Sequence, residues 1–168
     1  MSSADVYEIA DLQTEFFGFS AHGFEMVGLS EEDSYVRYIR ENEPPEPLLV
    51  NFLRSQFDPD GEYVIADVGA NIGFTSLLMS RCLPKAVIHA FEPGKTIHEL
   101  LGRNTKDRKI VPVNSAVSNA EGTVAFQESS AYGHIILNGD GASVPYDISC
   151  EICQGKRHQE IRLCQSRC

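Results

Sequence analysis

From Glu62 onward the apolar positions switch between two spacings. Tyr63-Val64-Ile65-Ala66 is a short apolar strand, and Phe74, Leu77, Leu78 and Met79 then recur at the spacing of a helix face. Val87-Ile88-His89-Ala90-Phe91 is a second strand. Thr96-Ile97-His98-Glu99 reads as a capping box that opens a second helix with Ile97, Leu100 and Leu101 facing inward. Lys109 to Val117 is a third strand, which Pro112 assigns to the sheet edge because proline cannot donate to a second neighbour. Strand, helix, strand, helix, strand at this spacing requires parallel pairing through crossovers, so the predicted class is α/β, an open Rossmann-like sheet. Beyond it, Ser118 to Gly122 reads as a turn and Thr123 to Gln127 as a partly exposed strand.

Before Glu62 the pattern is weaker. Ser30 followed by Glu31, Glu32 and Asp33 places an N-cap and acids at a helix start, with Tyr35, Val36 and Ile39 as its stripe. The prolines of ENEPPEP (41 to 47) end that helix. Leu48, Leu49, Phe52 and Leu53 mark one face of a second helix, which stops at the turn Asp58-Pro59-Asp60-Gly61. The chain thus divides into an acidic, helical accessory segment (1–61), a Rossmann-like core (62–149) and a Cys-rich tail (150–168).

Charge sharpens that division. The 168 residues carry a net charge of −10 with 42% hydrophobic positions, a size and make-up that fit one globular domain. Residues 1–62 hold 3 basic and 14 acidic side chains, residues 63–149 hold 7 and 8, and residues 150–168 hold 4 and 2. No Lys/Arg cluster is present to bind a polyanion, so nucleic acid is a poor partner. No apolar run approaches the roughly 20 residues that span a bilayer, and MSSADVYEIADLQ has neither a basic nor an apolar leader region. A soluble, cytoplasmic protein without membrane contact is expected.

The chemistry concentrates in Asp67-Val68-Gly69-Ala70-Asn71-Ile72-Gly73, which joins the first strand to the first helix. In open α/β sheets ligands bind beyond the carboxyl ends of the strands, where a Gly-rich turn lets backbone approach closely. A dinucleotide fingerprint would read G-x-G-x-x-G; here the middle position is Asn71, and Asp67 stands two residues before the first glycine. A carboxylate in this turn repels pyrophosphate and attracts an ammonium, which disfavours a nicotinamide-dependent oxidoreductase. The second strand ends in Phe91-Glu92-Pro93, an acid placed to accept from both hydroxyls of a ribose. A ribose, an ammonium and no phosphate describe S-adenosylmethionine. Asn114-Ser115-Ala116, at the end of the third strand, falls by position near the adenine edge.

At these residues the chain resembles the FkbM-type family of S-adenosylmethionine-dependent methyltransferases. The resemblance is carried by VIADVGANIGFTSLL (64 to 78), HAFEP (89 to 93) and IVPVNSAVSNAEGTVAF (110 to 126), and covers roughly residues 48 to 147. It implies a seven-stranded Rossmann-like sheet, cofactor contacts at Asp67, Gly69, Asn71, Gly73 and Glu92, and O-methylation of a sugar, glycan or natural-product hydroxyl. It also implies further strands, one ending in a D-x-E-G-type acidic motif, which this sequence lacks; about half of the expected sheet is missing. The first strand then has a bare side that the tail, the N-terminal segment or another chain, a second copy or a partner, must cover if it is not to aggregate. On that ground weak donor binding and little transfer are expected of the isolated chain, with a non-catalytic binding module as the alternative.

For the reaction itself, a sulfonium donor is already electrophilic, so the protein mainly aligns the acceptor and supplies a base for its proton. His134, in Tyr132-Gly133-His134, is the first candidate for that base and Asp140, in the Asn138–Gly141 turn, the second. Both compete with a bland reading, since histidines more often pack and Asn-Gly-Asp-Gly is first a turn. His89, in a strand, and His98, on a helix, read as core or surface residues. The tail pairs Cys150 with Cys153 and Cys164 with Cys168 at C-x2-C and C-x3-C spacing. Four thiolates could hold a structural zinc, and disulfides are a further option, but the tail is read as a truncated, spliced or frame-altered end and no metal is expected.

Overall fold

In a computed structural model, the described residues are 16–117 and the strands over 122–129, 132–136 and 142–146, the last three chiefly as backbone. The chain opens with an antiparallel hairpin, β1 (Phe17–Ala21) and β2 (Phe24–Gly28). His22 and Gly23 join the two strands with φ of 53° and 77°, the doubly left-handed turn whose twist matches that of a two-stranded ribbon. This hairpin lies where the sequence pattern gave no element.

Helix α1 (Ser34–Glu41) is capped by Asp33 and not by Ser30: its carboxylate accepts from the Tyr35 amide at 2.9 Å and the Val36 amide at 3.1 Å. Ser30 instead lies in the preceding turn, its carbonyl accepting the Asp33 amide. Helix α2 (Pro47–Gln56) starts on a proline, tolerated in the first turn because the amide there has no intrahelical partner. Of its four expected inward residues, Leu53 is fully buried and Leu49 packs on the core, whereas Leu48 is 86% and Phe52 44% exposed. Successive residues on a helix diverge by about 100°, so one stripe holds positions 49 and 53 and turns 48 and 52 outward.

The next five elements are β3 (Val64–Val68), α3 (Phe74–Cys82), β4 (Val87–Phe91), α4 (Lys95–Asn104) and β5 (Ile110–Val113). The strands form a parallel sheet in the order β3-β4-β5, in register at Ala66↔His89 and Ile88↔Ile110. This is the α/β class read from the sequence, a partial Rossmann-like sheet, with Pro112 on an outer strand. Among the described residues β3 is paired on one side only, to β4. Helix α4 departs from the expected capping box. It begins at Lys95 behind Gly94, with no side-chain cap, and Thr96 lies within its first turn. The reason is upstream: the Glu92 carboxylate holds the Gly94 amide, and the Gly94 carbonyl takes the His98 amide, so the first turn closes before Thr96 can cap it.

The later strands β6 (Gly122–Ser129), β7 (Tyr132–Ile136) and β8 (Ala142–Tyr146) form a separate antiparallel sheet in the order β7-β6-β8. The sequence had marked only the first of them. The Ala116 amide donates to the Pro145 carbonyl at 3.0 Å, which ties the exit of β5 to β8.

One face of the parallel sheet, through Ile65, Ile88 and Ile110, packs on α3 and α4. Phe19, Phe24, Met26, Tyr35, Val36, Ile39 and Leu53 join the same buried cluster, so the N-terminal segment completes this core. On the other face Ala66 and Phe91 pack with Val64, Val68, Val113 and Val117. No described helix is long and apolar enough to cross a membrane.

Candidate cofactor-binding site

The site lies where β3, β4 and β5 end. The chain leaves β3 and turns into α3 with φ of 74° at Gly69, 53° at Asn71 and 93° at Gly73. Three left-handed residues in five make a bend that projects backbone outward. Asparagine tolerates this conformation because its side chain can bond nearby backbone, and Asn71 Oδ1 accepts the Ile72 amide at 2.7 Å. At Gly73 a Cβ would lie 2.8 Å from Leu101 Cδ1 and 3.0 Å from Thr105 Cγ2, so α4 packs against bare backbone there. The Gly69 and Ala70 amides both donate to the Phe91 carbonyl, at 3.0 and 2.9 Å, which fixes the bend to the end of β4.

Glu92, the first residue beyond β4, is buried and does more than project from a strand end. Its Oε2 accepts the Asn71 amide at 3.0 Å and its Oε1 the Gly94 amide at 2.9 Å. One carboxylate therefore braces the glycine-rich turn on one side and the start of α4 on the other. Asp67 is buried too, and its Oδ2 accepts the Ser76 hydroxyl at 2.6 Å. Asn114 donates from Nδ2 to the carbonyls of Glu92 and Pro93, at 2.9 and 3.0 Å, and so fastens the end of β5 to the same loop.

Hydrogen bonding thus draws Glu92, Asn71 and Asn114 into one cluster, with Asp67, Gly69 and Gly73 on the same bend. Ser115 turns elsewhere: its hydroxyl lies 2.9 Å from the Ala116 carbonyl and 3.0 Å from that of Pro145, toward β8. His134 falls in β7 opposite Gln127, with its side chain outside the described residues, and Asp140 lies outside them altogether. The cysteine tail does as well. His89, on β4, is half-buried, and desolvation holds its imidazole below the usual histidine range. Sequence reasoning passed over Ser76, Gly94 and Asn104. A serine within the buried run Phe74–Met79 was the available signal for the first, and the local Glu92-Pro93-Gly94 turn for the second; Asn104 acts through tertiary contacts that spacing does not reveal.

The donor set favours one kind of ligand. Segments 67–73 and 91–94 hold two acids and no lysine or arginine. Ionised carboxylates only accept, so they suit hydroxyl and ammonium donors and oppose a phosphate. The residues present fit a nucleoside that carries an amino-acid ammonium.

No protein-family model matches the chain. The methyltransferase sdnD of Sordaria araneosa is 40% identical over 67 residues, which are 40% of this chain and 24% of that protein. A SAM-dependent methyltransferase from Agrobacterium tumefaciens superposes with a TM-score of 0.41 at 14% identity, over 61% of this chain and 33% of that one. One from Leishmania major gives 0.30 at 21% identity, over 39% and 26%. The chain spans about a quarter of the length of the curated relative it matches.

Proposed function

We propose that this chain binds S-adenosylmethionine at the β3–α3 bend and serves methyl transfer of the FkbM type to a hydroxyl of a sugar, glycan or natural product. The observation that carries the reading is the Glu92 bridge. The carboxylate assigned to the ribose diol is bonded to the Asn71 amide of the bend assigned to the methionyl end, so the two contacts form one unit. The named relative, itself a methyltransferase, supports the methyl-transfer part of this reading.

Each residue then has a task. Asp67, held by Ser76, faces the ammonium, and Glu92 accepts from the ribose hydroxyls. Gly69 and Gly73 let backbone approach, while Asn114 sits toward the adenine edge and Ser115, whose hydroxyl is turned toward β8, takes no part in it. When bound, the donor supplies an electrophilic methyl group on a sulfonium. The protein must align the acceptor oxygen and take up its proton, a role we assign to His134 with Asp140 second. On this reading the protein acts in the cytoplasm on a small-molecule or glycan hydroxyl, without nucleic acid or membrane, and a second copy or partner covers the side of β3 that is unpaired among the described residues.

The test is transfer of a labelled methyl group from the donor to a panel of sugar and natural-product hydroxyls. A small yield of labelled methyl ether, in line with the little transfer expected of this chain, that disappears in His134→Ala is the expected product. A folded chain that binds the donor and labels no hydroxyl would favour a binding module instead, a second reading in keeping with the one-sided pairing of β3 among the described residues.

A further inference from the structure

The cofactor bend is fastened to the N-terminal hairpin by one side chain. Asn104 closes α4, and its amide makes three bonds within hydrogen-bonding reach of two distant segments. Oδ1 accepts the Val27 amide at 2.7 Å, and Nδ2 donates to the Val27 carbonyl at 2.9 Å and to the Ile72 carbonyl at 2.8 Å. Val27 lies on β2 and is 77 residues from Asn104 in sequence. Both of its backbone groups are taken, so at this position the side-chain amide does for the hairpin what a neighbouring strand would do. Ile72 lies between Asn71, whose amide Glu92 holds, and Gly73, which packs on the last turns of α4.

We infer that Asn104 is a positioning residue for the cofactor bend, and that through it the β1–β2 hairpin forms part of the binding site. It touches no ligand itself. Its amide fixes the Ile72 carbonyl, and with it the left-handed pair Asn71 and Gly73, in the conformation that binding requires. Without that bond the bend samples other conformations, and a ligand must pay the cost of ordering it. Coupling is reciprocal, so a ligand at the bend also steadies the hairpin edge.

The test uses the full chain, Asn104→Ala, and Asp33→Ala as a control that loses a helix cap away from the bend. Amide hydrogen exchange needs no ligand. In Asn104→Ala exchange should rise about tenfold at Asn71 and Gly73, whose amides Asn104 does not touch, together with Val27. In Asp33→Ala those amides should exchange as in the wild type. A rise at Val27 alone, or an equal rise at the bend in the control, overturns the inference. The second readout rests on the methyl-donor reading: affinity for S-adenosylhomocysteine, by calorimetry, should fall about tenfold in Asn104→Ala and hold in the control. Wild-type affinity retained in Asn104→Ala also overturns it. If the folded wild type gives no heat, the donor reading fails and the exchange comparison alone decides the role of Asn104.

Discussion

Gly73 carries two constraints at once, a left-handed backbone at φ 93° and α4 side chains within 3.0 Å of where a Cβ would stand. Gly73→Ala should therefore cost about 1–3 kcal/mol in urea unfolding, from overpacking and from the conformation together. His89 gives the pH dependence a sign. Burial lowers its folded pKa, so the unfolded chain binds the extra proton first. Stability contributed by the neutral imidazole is present above the unfolded value, near 6.5, and is lost as pH falls toward the folded one. Replacing His89 with Gln should flatten the urea midpoint between roughly pH 7 and pH 5 relative to the wild type. At this scale the sequence singled out Asp67, Asn71 and Glu92 because a strand-to-helix bend has local rules. Ser76 and Asn104 escaped it because each acts on a partner brought close only by folding, whereas Gly94 meets Glu92 across a local turn.

Elements were legible in proportion to their periodicity. The five of the parallel unit follow from apolar runs and helical stripes, and Pro112 lies, as expected, on a strand paired on one side only among the described residues. The hairpin did not announce itself, since His22-Gly23 lacks the Asn-Gly or Asp-Gly signature, although Phe24, Met26 and Gly28 alternate inward along β2. Helix caps were misplaced by three residues at α1 and two at α4, for a physical reason. Ser30 and Thr96 are good cap residues by type, but the open amides were reached by Asp33 in one case and reorganised by Glu92 in the other. Asp33→Ala should accordingly cost about 0.5–2 kcal/mol, read from the thermal transition, while Ser30→Ala leaves α1 unchanged.

Across the whole molecule, the acidic N-terminal stretch and the parallel sheet share one buried cluster. Phe24 shows it best, edge-on to Phe74 of α3 with ring centroids 6.5 Å apart and covered by the Arg81 guanidinium 3.8 Å from its ring centre. Phe24→Ala should lower stability by about 3–5 kcal/mol in one cooperative transition seen alike by probes of the hairpin and of the sheet. Two separate transitions would mean that the segments fold independently. Charge patterning located the acidic segment, but its burial depends on which aromatic residues meet, and that is a property of the assembled fold.

In the proposed function, a bend braced by Glu92 holds a methyl-donor nucleoside. Calorimetric titration of S-adenosylhomocysteine into the folded chain, repeated with Glu92→Gln, tests it most directly. A carboxylate hydrogen bond contributes about 1.5–3 kcal/mol, so a single saturable site should weaken roughly tenfold to a hundredfold in the variant while circular dichroism shows both proteins folded. No heat from the folded wild type, or equal affinity in the two, would contradict the account.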